Sequence, residues 1–163
     1  IGPIQSNKTR AVAEHFDWVH TVDRWRIAQR LNDQRPAHLP PLQVCVQVNV
    51  DGGATKSGVE PQQALELARQ LTQLPRLSLR GLMTLPDPVE GFAAQRELHA
   101  RAHALFQELG QALQLPHWDT LSMGMSADLE AAIAAGSTMV RVGTALFGRR
   151  NAVDSGFTVK SDS

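Results

Sequence analysis

Three features that define large protein classes are missing from this chain. The single cysteine, Cys45, excludes an intrachain disulfide, and no cluster of Cys and His has metal-ligand spacing. No apolar run approaches the roughly 18 residues of a membrane span, and no charged segment followed by an apolar one marks a secretory signal. The sequence therefore predicts a soluble, cytoplasmic protein that binds no metal.

Net charge is also missing. Lys and Arg number 16, Asp and Glu also number 16, and the basic residues are scattered along the chain. Nothing in this distribution favours binding to nucleic acid or to an anionic membrane. What the sequence does have is 42% hydrophobic residues over 163 positions, which is enough to build the core of one domain.

Apolar runs rich in β-branched residues alternate with longer stretches of helical periodicity, a pattern typical of βα units and a parallel sheet. It predicts strands at residues 1–5, 18–22, 42–50, 79–85, 120–125 and 139–142. It predicts helices at residues 8–16, 24–34, 61–73, 92–114 and 129–135, with Asp23 placed to cap the second of them. Residues 1–150 are expected to form the domain, and residues 151–163 a polar tail.

The strand at residues 42–50 favours a barrel over a doubly wound sheet. Its even positions from 44 to 50 are all valine, whereas its odd positions are Gln43, Cys45, Gln47 and Asn49. A barrel strand turns one face to the helices and the other to the interior, whereas a doubly wound sheet usually needs apolar residues on both faces. Six units are two short of the eight that close such a barrel, so we expect about two strands upstream of Ile1.

Two turns near the end of the chain predict a phosphate site. In LSMGMS, Ser122 and Ser126 flank Gly124, whose missing side chain would let a ligand approach the backbone, and Gly143 and Thr144 follow the next strand. Hydroxyls and backbone N–H groups in such turns bind anions, and the last two strands of many barrels supply a phosphate cradle. The alternative is a pair of plain strand–turn–helix joints.

One charged residue and one pair of histidines complete the candidates. Arg141 lies on an otherwise apolar strand, where an inward charge needs a partner and could donate to a heteroaromatic nitrogen. His99 and His103 have helical i, i+4 spacing but no third metal ligand in register, so we expect an exposed helix face.

Several segments together resemble the pyridoxal phosphate homeostasis proteins, also called the YggS or PROSC family. They are IGPIQSNK at 1–8, VDRWRIAQRLNDQR at 22–35, QVNVDGGATKSG at 47–58, RGLMTLP at 80–86 and LSMGMSADLEAAIAAGSTMVRVGTALFG at 121–148. The resemblance implies a (β/α)8 TIM barrel of the alanine racemase N-terminal type, here lacking about its first two strands. It also implies binding of pyridoxal 5'-phosphate (PLP), a role in vitamin B6 and amino-acid homeostasis without established catalysis, and apo PLP-dependent enzymes as partners of a monomeric full-length protein.

Carried over by position, the resemblance assigns roles around the cofactor. It makes Ser122, Gly143 and Thr144 phosphate ligands, with Ser126 and Gly124 shaping the cradle. It pairs Arg141 with the pyridine nitrogen, which then stays unprotonated and makes the ring a weaker electron sink. Met83 is expected in the pocket wall, and Asn49 and Asn7 in the pocket.

The covalent anchor is the point of departure from the family. Its Schiff-base lysine lies on the first strand and would precede Ile1, whereas Lys8, Lys56 and Lys160 fall in a helix, a loop and the tail. We therefore expect a phosphate cradle without this lysine, in a chain that could associate through open strand edges. The alternatives are an alanine-racemase-type enzyme, which needs a tyrosine that this chain lacks, and a barrel for another phosphorylated metabolite.

Overall fold

The computed structural model describes residues 1–53 and 57–149 and contains a five-stranded parallel sheet in the order β1-β2-β3-β4-β5. The strands are β1 (Trp18–Val22), β2 (Leu42–Val48), β3 (Leu77–Thr84), β4 (Thr120–Met125) and β5 (Met139–Arg141). After a 3-10 turn at Ser6–Lys8, the helices are α1 (Thr9–His15), α2 (Trp25–Gln34), α3 (Pro61–Thr72), α4 (Phe92–Leu113), α5 (Leu129–Ala134) and α6 (Thr144–Phe147). A helix joins each strand to the next, as parallel neighbours require.

The predicted strand at residues 1–5 is wrong. Pro3 has no N–H to give to a ladder, and Gly2 has a φ of +123°. Side chains of the neighbouring segment hold these residues instead: the Thr21 hydroxyl donates to the Gly2 carbonyl at 2.6 Å, and Arg24 donates to the Ile4 carbonyl at 3.2 Å. The segment thus lies beside β1 without hydrogen-bonding to it as a strand.

The expected cap at Asp23 is also wrong. Helix α2 begins one residue later than predicted, Arg24 is its N-cap, and no side chain caps it. The Asp23 carboxylate instead accepts a hydrogen bond from the Gly58 N–H at 3.1 Å, which ties the end of β1 to the loop after β2. The predicted tail at residues 151–163 lies outside the described residues.

The alternation in β2 sorts its side chains as predicted. Val44, Val46 and Val48 are fully buried in the apolar core, which lies between the sheet and the helices. The opposite face is mixed: Cys45 and Gln47 are buried, and Gln47 is in register with Met83 of β3. Burial raises the pKa of the Cys45 thiol to about 12. The sheet is curled, with this mixed face on the inside.

One end of the inner face is filled by an ion pair. Arg80 of β3 binds the Asp119 carboxylate with two nitrogens, at 3.0 and 2.6 Å, and donates to the Gln43 side-chain oxygen at 2.8 Å. Its guanidinium also stacks over the Trp18 ring at 5.0 Å. The hydrogen bond from Arg80 holds the pKa of Asp119 below its usual value. These residues lie near the N-terminal ends of the strands, so the C-terminal ends are left for a site.

Candidate functional site

Arg141 is the last residue of β5, and the prediction that it faces inward is confirmed. Only 8% of its surface is exposed. One terminal nitrogen donates to the Ser122 hydroxyl at 2.8 Å and the other to the Thr84 carbonyl at 2.8 Å. The Nε atom is buried without a hydrogen-bond partner. Burial lowers the pKa of this guanidinium, which keeps its charge nonetheless. An unpaired N–H inside a protein calls for an acceptor.

Ser122 connects Arg141 to His20, a residue that the sequence did not indicate. The Ser122 hydroxyl is fully buried and lies 2.9 Å from the His20 Nδ1. Its oxygen accepts from Arg141, and its hydrogen can be donated to the His20 Nδ1 when the imidazole carries its proton on Nε2. Burial, and then the charge of Arg141, lower the pKa of His20 and favour the neutral ring. Ser122 therefore lies within β4 beside the arginine, and its hydroxyl is already engaged.

The two predicted turns meet in space. The first, at residues 125–128, is closed by hydrogen bonds between Asp128 and Met125: N–H to carbonyl at 3.1 Å, and Met125 N–H to carboxylate at 2.7 Å. Ser126 lies within this turn, and its hydroxyl oxygen accepts from the Ala145 N–H of the second turn at 3.4 Å. The hydroxyls and amides expected to bind phosphate therefore lie, like Arg141, at the C-terminal ends of the strands, which form the mouth of the site.

The two glycines of these turns differ in their surroundings. A Cβ on Gly143 would meet nothing within 4 Å, so open space adjoins this backbone. Gly124, in contrast, is buried, has a φ of +97°, and a Cβ there would lie 2.5 Å from the Ala132 Cβ. Gly124 thus allows α5 to pack on β4, whereas Gly143 leaves room for a ligand.

The remaining predicted residues lie at different distances from this mouth. Met83 is fully buried and in register with Ser122, so it adjoins the arginine cluster. The Asn49 side chain holds the loop after β2, donating to the Gly53 carbonyl at 2.9 Å and accepting from the Gly52 N–H at 3.1 Å. Asn7 is exposed in the 3-10 turn, and in the described ranges no hydrogen bond joins its side chain to the other site residues.

Lysine positions bear on the covalent anchor. Lys8 is exposed and ends the 3-10 turn before α1, so it does not lie on the inner face of the sheet. Lys56 and Lys160 lie outside the described residues.

His99 contradicts the expected exposed helix face. It is only 1% exposed, and its Nε2 lies 2.7 Å from the Asp128 carboxylate. The sequence carried one signal for this burial: α5 is rich in alanine, and its small side chains let α4 approach closely, with Ala131 and Ala132 buried. His103 likewise packs against Gly136.

The described part of the chain contains neither a metal cluster nor a membrane-spanning helix. Within residues 1–53 and 57–149, no three His, Cys, Asp or Glu side chains are grouped as metal ligands would be. In the same ranges, none of the helices has the length and apolar character needed to cross a bilayer.

Comparison with known proteins identifies the family. The family model for the alanine racemase N-terminal domain matches residues 1–151. The chain is 58% identical to the pyridoxal phosphate homeostasis protein of Vibrio cholerae serotype O1 over 151 residues, covering 93% of this chain and 63% of that protein. It is 60% identical to the protein of the same name from Pseudomonas aeruginosa, covering 93% and 64%. The chain thus spans a little under two thirds of these curated relatives.

Solved structures agree with this result. PipY of Synechococcus elongatus PCC7942 without PLP superposes with a TM-score of 0.83 at 38% identity, covering 91% of this chain and 69% of PipY. The same protein with PLP bound gives 0.82 at 38% identity, covering 91% and 68%. An alanine racemase of Clostridium difficile 630, at 18% identity and a TM-score of 0.72 over 94% of this chain and 40% of that one, shares the fold.

This chain belongs to the alanine racemase N-terminal domain family, and it is similar to the pyridoxal phosphate homeostasis proteins named above. The predicted fold type, the (β/α)8 barrel of that family, is confirmed. The five described strands form a curled sheet of this barrel.

Proposed function

We propose that this chain holds the phosphate and the ring nitrogen of PLP, and that the protein acts in intracellular PLP and amino-acid homeostasis rather than as a catalyst. The observation that carries the proposal is the unpaired, buried Nε of Arg141 at the end of β5. A named relative and a PLP-bound structural neighbour support the same ligand.

The chemistry of Arg141 fits a pyridine nitrogen. Each terminal nitrogen donates one hydrogen bond, to Ser122 and to Thr84, and Nε is the guanidinium nitrogen that has no partner at all. A neutral pyridine nitrogen is an acceptor, and a guanidinium that keeps its proton would leave it unprotonated. When bound, PLP supplies an aldehyde for amines and an electron-accepting ring, and an unprotonated ring accepts electrons less well. The residues present therefore favour cofactor carriage over catalysis.

The phosphate fits the joined turns. Gly143 offers open space beside its backbone, Thr144 is exposed, and the Ser126 hydroxyl bridges to the second turn. We assign these three residues to the phosphate, and Ser122 to the orientation of Arg141. Met83 adjoins this arrangement as part of the wall. Asn49 acts on the loop that follows β2, and Asn7 stays a predicted pocket residue.

The racemase alternative finds less support. The likeness to alanine racemase at 18% identity concerns the fold alone. We further propose a cytoplasmic location and transfer of PLP to apo enzymes as the protein's role.

Titration of the full-length protein with PLP, followed by its absorption spectrum, tests the binding proposal. Ser126→Ala and Thr144→Val should each raise the Kd by about tenfold, since each removes a hydrogen bond to a charged group. Thr72→Val, at the end of α3, is the control and should leave the Kd unchanged. A wild-type protein that does not bind PLP would overturn the proposal.

Two further measurements address the anchor and the chemistry. Borohydride reduction of the PLP complex, followed by mass spectrometry, locates the lysine that carries the cofactor. Labelling of Lys8, Lys56 or Lys160 would contradict the expected anchor upstream of Ile1. Incubation with L-alanine should yield no D-alanine, and measurable racemisation would reject the non-catalytic assignment.

A further inference from the structure

We propose that His99 is a positioning residue for the phosphate site, acting through Asp128 to hold the turn that carries Ser126. The inference rests on the proposed function, because it concerns the same site. It assigns a role to a residue on α4 that does not itself belong to the two turns.

The Asp128 carboxylate has unusual hydrogen-bond partners for its position. An aspartate immediately before a helix normally caps it by accepting from the first backbone N–H groups. Asp128 occupies that position before α5 but makes no capping hydrogen bond. One carboxylate oxygen instead accepts from the Met125 N–H at 2.7 Å, and the other pairs with the His99 Nε2 at 2.7 Å. The side chain therefore braces the turn rather than the helix.

His99 is placed to hold this carboxylate. It lies on the 22-residue helix α4 and is almost fully buried. Because a carboxylate oxygen accepts, Nε2 carries the hydrogen of this bond. The other ring nitrogen, Nδ1, is buried with no partner. A buried imidazole with one unpaired nitrogen stabilises the core less than an apolar side chain of similar size would. The hydrogen bond to Asp128 is therefore the interaction that a histidine provides here and an apolar residue would not.

Ser126 connects the second turn to the brace, by which we mean the hydrogen-bonded set of His99, Asp128 and Met125. Its hydroxyl oxygen accepts from the Ala145 N–H, so the position of residues 125–128 sets the spacing between the two halves of the cradle. Releasing Asp128 from His99 would let the first turn shift relative to Gly143 and Thr144. Contacts to the phosphate would weaken, whereas contacts to the pyridine ring at Arg141 would remain.

Comparison of PLP with pyridoxal tests this inference, since the two ligands share the ring and pyridoxal has a hydroxyl in place of the phosphate. Each variant is compared with wild type for the same ligand, so the hemiacetal that free pyridoxal forms affects both measurements equally. In the full-length protein, His99→Leu should raise the Kd for PLP by about tenfold and leave the Kd for pyridoxal within about twofold. His99→Gln, whose amide can donate in place of Nε2, should restore PLP binding. His103→Leu, one turn along α4 and outside the brace, is the matched control and should change neither.

Each outcome decides between the inference and its alternatives. If His99→Leu weakens the binding of PLP and pyridoxal equally, or weakens the binding of neither ligand, the positioning role is wrong and His99 is only a core residue. If His99→Leu fails to fold, Asp128→Ala on the half-exposed turn must show the same selective loss, and an unselective result overturns the inference. Failure of the wild type to bind PLP would instead reject the proposed function.

Discussion

Replacement of Gly124 by alanine should destabilise the fold, whereas replacement of Gly143 should spare the fold and weaken the ligand. At Gly124 the φ of +97° is strained for any side chain, which costs roughly 1–2 kcal/mol. The new methyl would also lie 2.5 Å from the Ala132 Cβ, and overpacking of this kind costs about 1–3 kcal/mol. Gly124→Ala should therefore lower the free energy of unfolding by about 2–5 kcal/mol.

Two other glycines separate the contributions. Gly52 has a φ of +72°, and a methyl added there would have nothing within 4 Å, so Gly52→Ala should show the backbone strain alone. Gly143 has a φ of −120° and open space, so Gly143→Ala should change stability by less than about 0.5 kcal/mol. Its methyl would fill the space that we assign to phosphate, so the Kd of this variant for PLP should rise.

Urea unfolding followed by tryptophan fluorescence measures these differences, and a PLP titration of each folded variant completes the comparison. A Gly124→Ala variant no less stable than Gly52→Ala would refute the packing argument, because α5 would then have moved without cost. A Gly143→Ala variant with unchanged PLP affinity would show that the open space is not part of the phosphate cradle.

Three further predictions concern titration and reactivity. Arg80 holds the pKa of Asp119 low, so the ionised carboxylate stabilises the folded state above the usual carboxyl pKa, and this stabilisation is lost as the pH falls. The stability advantage of wild type over Asp119→Asn, measured by urea unfolding, should therefore shrink below about pH 4. The pKa of His20 is lowered by burial and by Arg141, so protonation opposes folding; wild type should lose stability relative to His20→Gln as the pH falls below about 6.5, and parallel pH profiles would contradict this. Because burial raises the Cys45 pKa to about 12, an aromatic disulfide reagent should label this thiol only after denaturation, and prompt labelling of the native protein would contradict its burial.

Local sequence signals predicted most of the elements. The strand predicted at residues 120–125 has the observed bounds, and Pro61 begins α3 as its fixed φ suggests. The strand predicted at residues 1–5 was wrong because apolar, β-branched composition does not show whether a neighbouring strand is positioned to hydrogen-bond with the segment. Pro3 removes one donor, and the side chains of Thr21 and Arg24 take the carbonyls.

Site residues that depend on tertiary contacts were predicted less well. Arg141 could be identified because a charge on an apolar strand stands out in the sequence. His20 could not, because it meets Ser122 from a strand 102 positions away in the chain. His99 looked like half of an exposed pair, since helical spacing alone does not show which face meets α5. Gly124 was predicted to let a ligand approach its backbone, whereas its missing side chain makes room for Ala132, a contact that the turn sequence does not show.

The hydrogen bond between His20 and Ser122 has a geometric consequence for the whole sheet. These residues belong to β1 and β4, which would lie about 14 Å apart across three strand spacings if the sheet were flat. Their side chains meet at 2.9 Å, so the bond is a chord across an arc of four strands. Flattening the arc would break this chord, and it would also stretch the hydrogen bond from Arg141 of β5 to the Thr84 carbonyl of β3, which lies beyond β4. The curvature of the sheet and the orientation of the Arg141 guanidinium therefore depend on each other.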